Sequence, residues 1–165
     1  MNKPVVVCIG SSNVTGDSLG PLVGDRLIFE YNADAYVYGC SVSPVHGGNF
    51  SAYLEHIKIH HRHSLVIAVD ACVGKAHDVG SVKYTLGGIK AGGALNKGLE
   101  KIGDIGILGI VAAAERDNFK ALMAVDENFV VNMSARIAES VYKLLRLHAS
   151  NLKTDVARRL SAVNI

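Results

Sequence analysis

Val5-Val6-Val7-Cys8-Ile9 is apolar at every position, and Leu65-Val66-Ile67-Ala68-Val69 does the same further along the chain. A strand with one wet face alternates apolar and polar residues, so a run without alternation reads as a strand buried on both faces. Such strands belong to sheets with helices packed on either side, and strand–helix–strand connections make those sheets parallel with right-handed crossovers. The expected architecture is α/β: three layers, α/β/α, around a mostly parallel sheet.

The segments between these runs fit that frame. Gly10 closes the first run, and turn residues follow in Ser11-Ser12-Asn13 and Thr15-Gly16. From Ser18 onward Leu19, Leu22, Val23, Leu27 and Ile28 recur at helical spacing, with Pro21 acceptable in the first turn because its missing N–H would be unpaired there. Asp17 then stands at or just before a helix N-terminus, and Ser18 reads as the N-cap. Residues 35–40 read as a second strand, 49–61 as a second helix and 65–69 as a third strand ended by Asp70. Residues 82–86 form a shorter, more polar strand suited to an edge, and 105–111 a further buried strand. Residues 87–104 hold six glycines, too many for a stable helix. A loop of that length in a compact domain is usually functional or mobile, and it is expected to border the site. A long helix is expected over 128–147, with basic residues toward its C-terminal end. The last stretch carries Leu152, Val156, Leu160 and Val163, an amphipathic stripe that can dock on the domain or on a second subunit. The reading is one domain over 1–150 with an amphipathic tail over 151–165.

The chain has 165 residues, 49% of them hydrophobic, which suffices for one domain with a sizeable core. Seventeen Lys and Arg against fifteen Asp and Glu give +2, without the basic excess of a nucleic-acid footprint. No nucleic-acid partner is expected. Met1-Asn2-Lys3-Pro4 leads straight into a strand, and no apolar run reaches the length of a membrane span. A cytoplasmic protein without a membrane partner is expected. Cys8, Cys40 and Cys72 lie in or beside apolar runs without C-x-x-C spacing and read as reduced core thiols.

Gly16-Asp17-Ser18-Leu19 spells GDSL, the name-giving motif of a serine esterase superfamily. In those enzymes the serine follows directly from the strand, and a histidine in a D-x-x-H block serves as base. Here the strand ends six residues earlier, and no D-x-x-H occurs. A serine without a positioned base is a poor nucleophile. Gly10, Gly16, Gly20 and Gly24 do not form the G-x-G-x-x-G of a dinucleotide-binding turn, and no phosphate loop is present. His56, His60, His61 and His63 cluster in EHIKIHHRH, where i, i+4 spacing could place two on one helix face, but polar and cationic groups are expected at a helix C-terminus on dipole grounds. His46 and His77 instead follow strand C-termini, on the rim expected to carry Asp17 and Asp70.

Each aspartate has a structural explanation: Asp17 as a first-turn capping residue and Asp70 as a strand terminator. Together on one rim they form a carboxylate pair. Two close carboxylates cannot both ionise freely, so their titrations split and the pair can hold a water between an acid and a base. The helix N-terminus favours the charged form of Asp17, leaving Asp70 to keep the proton.

The blocks G-x(5)-GDSLGPLVG, VDAC, GGIKAGGALNKGL and GDIGILGIV occur in that order between about Val5 and Val111. In this the chain resembles the YyaC-type sporulation proteins, relatives of the spore germination endopeptidase and, more distantly, of the hydrogenase maturation endopeptidases. The resemblance implies a phosphorylase/hydrolase-like α/β/α domain and a peptidase role in sporulation or germination, in the forespore or mother cell of a spore-forming bacterium. It assigns the two catalytic aspartates of the germination endopeptidase to Asp17 and Asp70. Its glycine-rich loop falls on residues 91–98, which puts Gly92, Gly93, Asn96 and Lys97 near the site as substrate-binding or oxyanion groups, with Ser18, His46 and His77 as further rim residues. At 165 residues the chain is expected to lack the pro-segment of that endopeptidase. The histidine block that completes the nickel site of hydrogenase maturation enzymes does not follow Asp70, so no cofactor is expected.

Three functions remain open at this point. The first is a hydrolase, a protease that cuts a spore protein by water activation at Asp17 and Asp70, with backbone amides or Lys97 on the oxyanion. The second is an inactive binding or regulatory module of the same fold. The third is metal-assisted processing through Asp17, Asp70 and His46 or His77. A homo-oligomer is compatible with each.

Overall fold

The structure, a computed structural model, describes residues 2–92 and 100–163, with side chains beyond residue 151 described only at Thr154. Strand β1 (Val5–Cys8) is buried at every position. Val6 and Cys8 face one hydrophobic core, Val5 and Val7 the other. The continuous apolar run therefore serves two helix layers, as the lack of alternation requires. It is joined by β2 (Tyr36–Tyr38), β3 (Val66–Gly74), β4 (Val82–Leu86) and β7 (Ile105–Ala113) in a five-stranded sheet of order β2-β1-β3-β7-β4. All neighbours are parallel except β4, which pairs antiparallel with β7 at the edge.

One layer holds α1 (Leu19–Asp25), extended by a π-helical turn over Arg26–Glu30, together with α4 (Glu127–Val163). Leu19, Val23 and Leu27 meet Val130, Met133, Ile137 and Val141 over the sheet. Arg26 Nε donates to the buried Ser134 hydroxyl at 3.0 Å and ties the two helices together. The other layer holds α2 (Phe50–His60) and a small hairpin of β5 (Ile89–Lys90) with β6 (Lys101–Ile102). Phe50, Leu54 and Ile57 pack there with Ile89 and Ile102. The expected three-layer α/β/α fold is present.

Several boundaries differ from those expected. Strand β2 is shorter than 35–40, because Gly39 turns the chain with φ +92°. The segment over 87–104 is not loop throughout: its ends pair as β5 and β6, and Ile89 and Ile102 are buried. A short helix, α3 (Asn118–Met123), begins where the Asp117 side chain accepts from Lys120 N. The break between a helix over 128–147 and a tail over 151–165 is absent, since α4 is continuous to Val163. No helix among the described residues is long and apolar enough to cross a membrane.

Candidate active site

The sheet opens between β1 and β3. From β1 the chain crosses through α1 to β2 on one side, then through α2 to β3 on the other, so this pair is the topological switch point where open α/β sheets collect ligands. Cys8 is the last residue of β1 in register with β3, opposite Val69. Ile9 then leaves to bridge Val45. Strand β3 continues without that neighbour, and its next residue is Asp70.

The sequence predicts that Asp70 ends its strand; instead β3 runs on through Ala71-Cys72-Val73-Gly74, and Asp70 sits in register with Leu108 of β7. A carboxyl can occupy a buried strand when it is neutral or hydrogen-bonded. Asp70 is 2% exposed, and its Oδ2 accepts the Gly92 N–H at 3.0 Å. Burial, and then the Asp17 carboxylate, push its pKa up to about 8, against a smaller opposing pull from the Gly92 and Ala71 N–H groups. At neutral pH Asp70 is therefore mostly protonated.

Asp17 lies in a 3-10 turn, Gly16–Ser18, that leads into α1. Close backbone packing fixes this turn. A Cβ on Gly10 would lie 2.0 Å from the Asp17 carbonyl oxygen, and Gly10 has φ +151°. A Cβ on Gly20 would lie 2.0 Å from Ile9 O, so the first turn of α1 rests directly on the end of β1. The glycines that fail as a dinucleotide fingerprint thus have a different use: they bring the Asp17 turn down onto the strand ends.

The remaining expected residues divide. Ser18 occupies the N-cap position of α1, but its side chain makes no capping bond; the hydroxyl donates to Thr15 O at 2.7 Å. Gly92 does approach the site, and its N–H donates to Asp70 Oδ2. Gly93, Asn96 and Lys97 lie outside the described residues. His46 Nδ1 accepts from Gly48 N at 3.1 Å, and its backbone N–H donates to Asn49 Oδ1 in the turn before α2. His77 is exposed and lies 3.6 Å from Asp78. Among the described residues no group of three or more His, Cys, Asp and Glu side chains is placed to hold a metal ion.

The histidine cluster is at the opposite end of the sheet, where α2 ends and the parallel strands begin. His61 Nε2 and His56 Nε2 lie 2.7 and 3.2 Å from the Tyr38 hydroxyl, the His56 and His60 rings lie tilted against each other with centroids 4.5 Å apart, and His63 is exposed. A concavity of about 590 Å³ lined by Lys3, Asp34, Tyr142 and Arg146 also opens at that end, away from the aspartates. Neither Asp17 nor Asp70 lines this concavity.

Two neighbours of Asp70 are not evident from the sequence. Cys72, two residues on and on the same face of β3, is half-buried, with its thiol pushed up to about 11 by burial and then by Asp70. Lys83 shares the row through Leu108 and lies 3.3 Å from Asp78. Only strand register reveals Lys83, whereas alternation along β3 places Cys72 once the strand is known to continue.

Comparison with known proteins agrees with this architecture. A family profile described as "Protein of unknown function (DUF1256)" matches residues 1–140. Over 140 residues the chain is 41% identical to "Uncharacterized protein YyaC" of Bacillus subtilis (strain 168), covering 84% of this chain and 68% of that one. The crystal structure of a NiFe hydrogenase maturation protease, HycI, from Thermococcus kodakarensis KOD1 superposes with a TM-score of 0.53 at 17% identity, over 88% of this chain and 94% of that one. That likeness concerns the fold. With most of its length matched by one profile and by a 41% identical relative, the chain belongs to the DUF1256 family and has the fold of a hydrogenase maturation protease.

Proposed function

We propose that the chain is a peptidase that hydrolyses an amide of a protein substrate with Asp17 and Asp70 as its acid–base pair. The observation that carries the reading is the state of Asp70: a buried carboxyl that keeps its proton near neutral pH under the influence of Asp17, at the switch point of the sheet. Split titration of this kind is what two carboxylates need in order to act in opposite roles on one water.

In the proposed reaction the Asp17 carboxylate takes a proton from water as its oxygen bonds to the amide carbon. Asp70 gives its proton to the carbonyl oxygen, so the tetrahedral species forms without a free oxyanion. On collapse Asp17 passes its proton to the departing nitrogen, the C–N bond breaks, and the hydroxyl returns a proton to Asp70. Both aspartates end as they began, and water is divided between the new carboxyl and amine. The Gly92 N–H orients Asp70. Any further stabilisation of the carbonyl oxygen falls to the glycine-rich segment that follows, where the sequence offers Gly93, Asn96 and Lys97.

The setting proposed from the sequence blocks is sporulation or germination, with a spore protein as substrate and with neither nucleic acid nor membrane as partner. The test is incubation of wild type, Asp17→Asn and Asp70→Asn with a spore-protein extract, followed by mass-spectrometric identification of new termini. Wild type should create a reproducible set of termini that both variants lose while remaining folded. The same termini from Asp70→Asn would sink the mechanism. Capture of a spore protein by wild type without any cut would instead leave the binding or regulatory module.

A further inference from the structure

Edge strands that natural proteins keep from associating are shielded by charge, proline, bulges or a covering loop. Strand β4 has little of this protection. It pairs with β7 on one side in an unbroken register, from Val82 opposite Gly109 to Leu86 opposite Ile105. The flanking bonds Ile110 N to Ser81 O and Gly87 N to Asp104 O fix the phase of the ladder. Odd-numbered residues of β4 therefore bond inward, and Val82, Tyr84 and Leu86 turn their N–H and C=O groups outward. Those groups have no backbone partner among the described residues. The side chains of the same residues share one face, and there Leu86 is 90% and Tyr84 55% exposed.

We infer that this edge pairs with the same edge of a second copy of the chain, antiparallel about a two-fold axis at Tyr84, joining the two sheets into one. The sequence of β4 is complementary to itself in that register. Tyr84 meets its own counterpart, Val82 meets Leu86, and Lys83, the one charge on the strand, meets Thr85 and not another lysine. Apolar residues thus oppose apolar residues, and no like charges face each other. An extended segment of a substrate fits this edge less well, because Tyr84 and Leu86 lie on the face opposite Asp70 and the edge is two strand spacings from it, about 10 Å. A five-residue ladder is short beside a permanent interface, which buries about 1,200 Å² or more, so the dimer is reversible and concentration-dependent.

Sedimentation velocity of the full chain over a concentration series tests this. Wild type should shift from monomer to dimer as concentration rises; Tyr84→Lys, with like charges at the axis, should remain monomeric, Tyr84→Phe should behave as wild type, and Leu147→Lys on the exposed face of α4 should not disturb the dimer. Opposed residues in a bonded antiparallel pair have Cα atoms about 5.5 Å apart, within disulfide range. Under mild oxidation Tyr84→Cys should therefore form a covalent dimer above the wild-type background, while Leu86→Cys, opposite Val82, should not. Monomer at every concentration, or a dimer that survives Tyr84→Lys with its fold intact, would overturn the inference.

Discussion

The two ends of the parallel strands each gather titratable groups, and desolvation acts on them with opposite consequences. Where the parallel strands end, burial holds the Asp70 carboxyl protonated, with its pKa near 8. Where they begin, partial burial and then the neighbouring His56 and His60 push the His61 imidazole below its ordinary value and favour its neutral form. In both places the protein disfavours charge. For the acid this stores a proton in a crevice beside a second carboxylate, and for the base it leaves a neutral ring hydrogen-bonded to Tyr38. The first arrangement holds a protonated acid; the second holds a neutral base.

Chemistry should separate the two ends most strongly. Asp70→Asn keeps an acceptor for the Gly92 N–H but has no acid proton, so cleavage measured by mass spectrometry should fall by about 10^2–10^4-fold, the usual worth of a positioned acid or base. A comparable loss on replacing His61 would place the chemistry at the wrong end.

Stability should separate the ends by sign. The folded pKa of Asp70 is raised above its unfolded value of 3.8, so its contribution to stability is fully present below about pH 4 and is lost as pH rises through about 8. Relative to wild type, Asp70→Asn should thus gain stability with rising pH, by several kcal/mol at most, since a tenfold change in proton affinity is worth about 1.4 kcal/mol. Urea unfolding of both proteins at pH 5 and pH 8.5 measures this. A difference between Asp70→Asn and wild type that does not shift in the variant's favour from pH 5 to pH 8.5 would mean that the buried carboxyl is not strained by ionisation.

The fold was legible because β1 and the first half of β3 lack alternation, a property that survives without knowledge of any contact. The candidates Asp17 and Asp70 stood out against the same runs: Asp70 directly follows one, and Asp17 follows the turn that closes the other. What escaped was set by tertiary context. Asp70 reads as a terminator because a charged aspartate does not continue a buried strand, yet a neutral one bonded to Gly92 does. The β5–β6 hairpin escaped because its two-residue strands are held by Ile89 and Ile102 against the core and not by any local pattern. The bond from the Gly92 N–H to Asp70 escaped as well, because it joins residues distant in the sequence.

A more modest effect bears on how the site is built. Gly10→Ala would put a methyl 2.0 Å from the Asp17 carbonyl at a φ that L-residues avoid, and should cost about 3 kcal/mol in urea unfolding while moving Asp17 away from Asp70. An unchanged midpoint would show that the turn yields easily. The least change is expected at the opposite end. His61, its folded pKa below the unfolded 6.5, adds stability at high pH that is lost as pH falls below about 6.5. The ring is only partly buried, so His61→Gln should change stability by only about 0.5 kcal/mol and flatten that shallow acid limb.

Everything proposed for the strand-end site requires that Asp70 hold a proton because it is buried beside Asp17. The carboxyl carbon chemical shift of Asp70, followed by NMR from pH 4 to pH 10 in wild type and in Asp17→Asn, reads that proton itself. The wild-type midpoint should lie near 8 and should fall in Asp17→Asn yet stay above 3.8, because burial is the larger cause and Asp17 the second. A wild-type midpoint in the ordinary carboxylate range, or one that Asp17→Asn leaves in place, would contradict this.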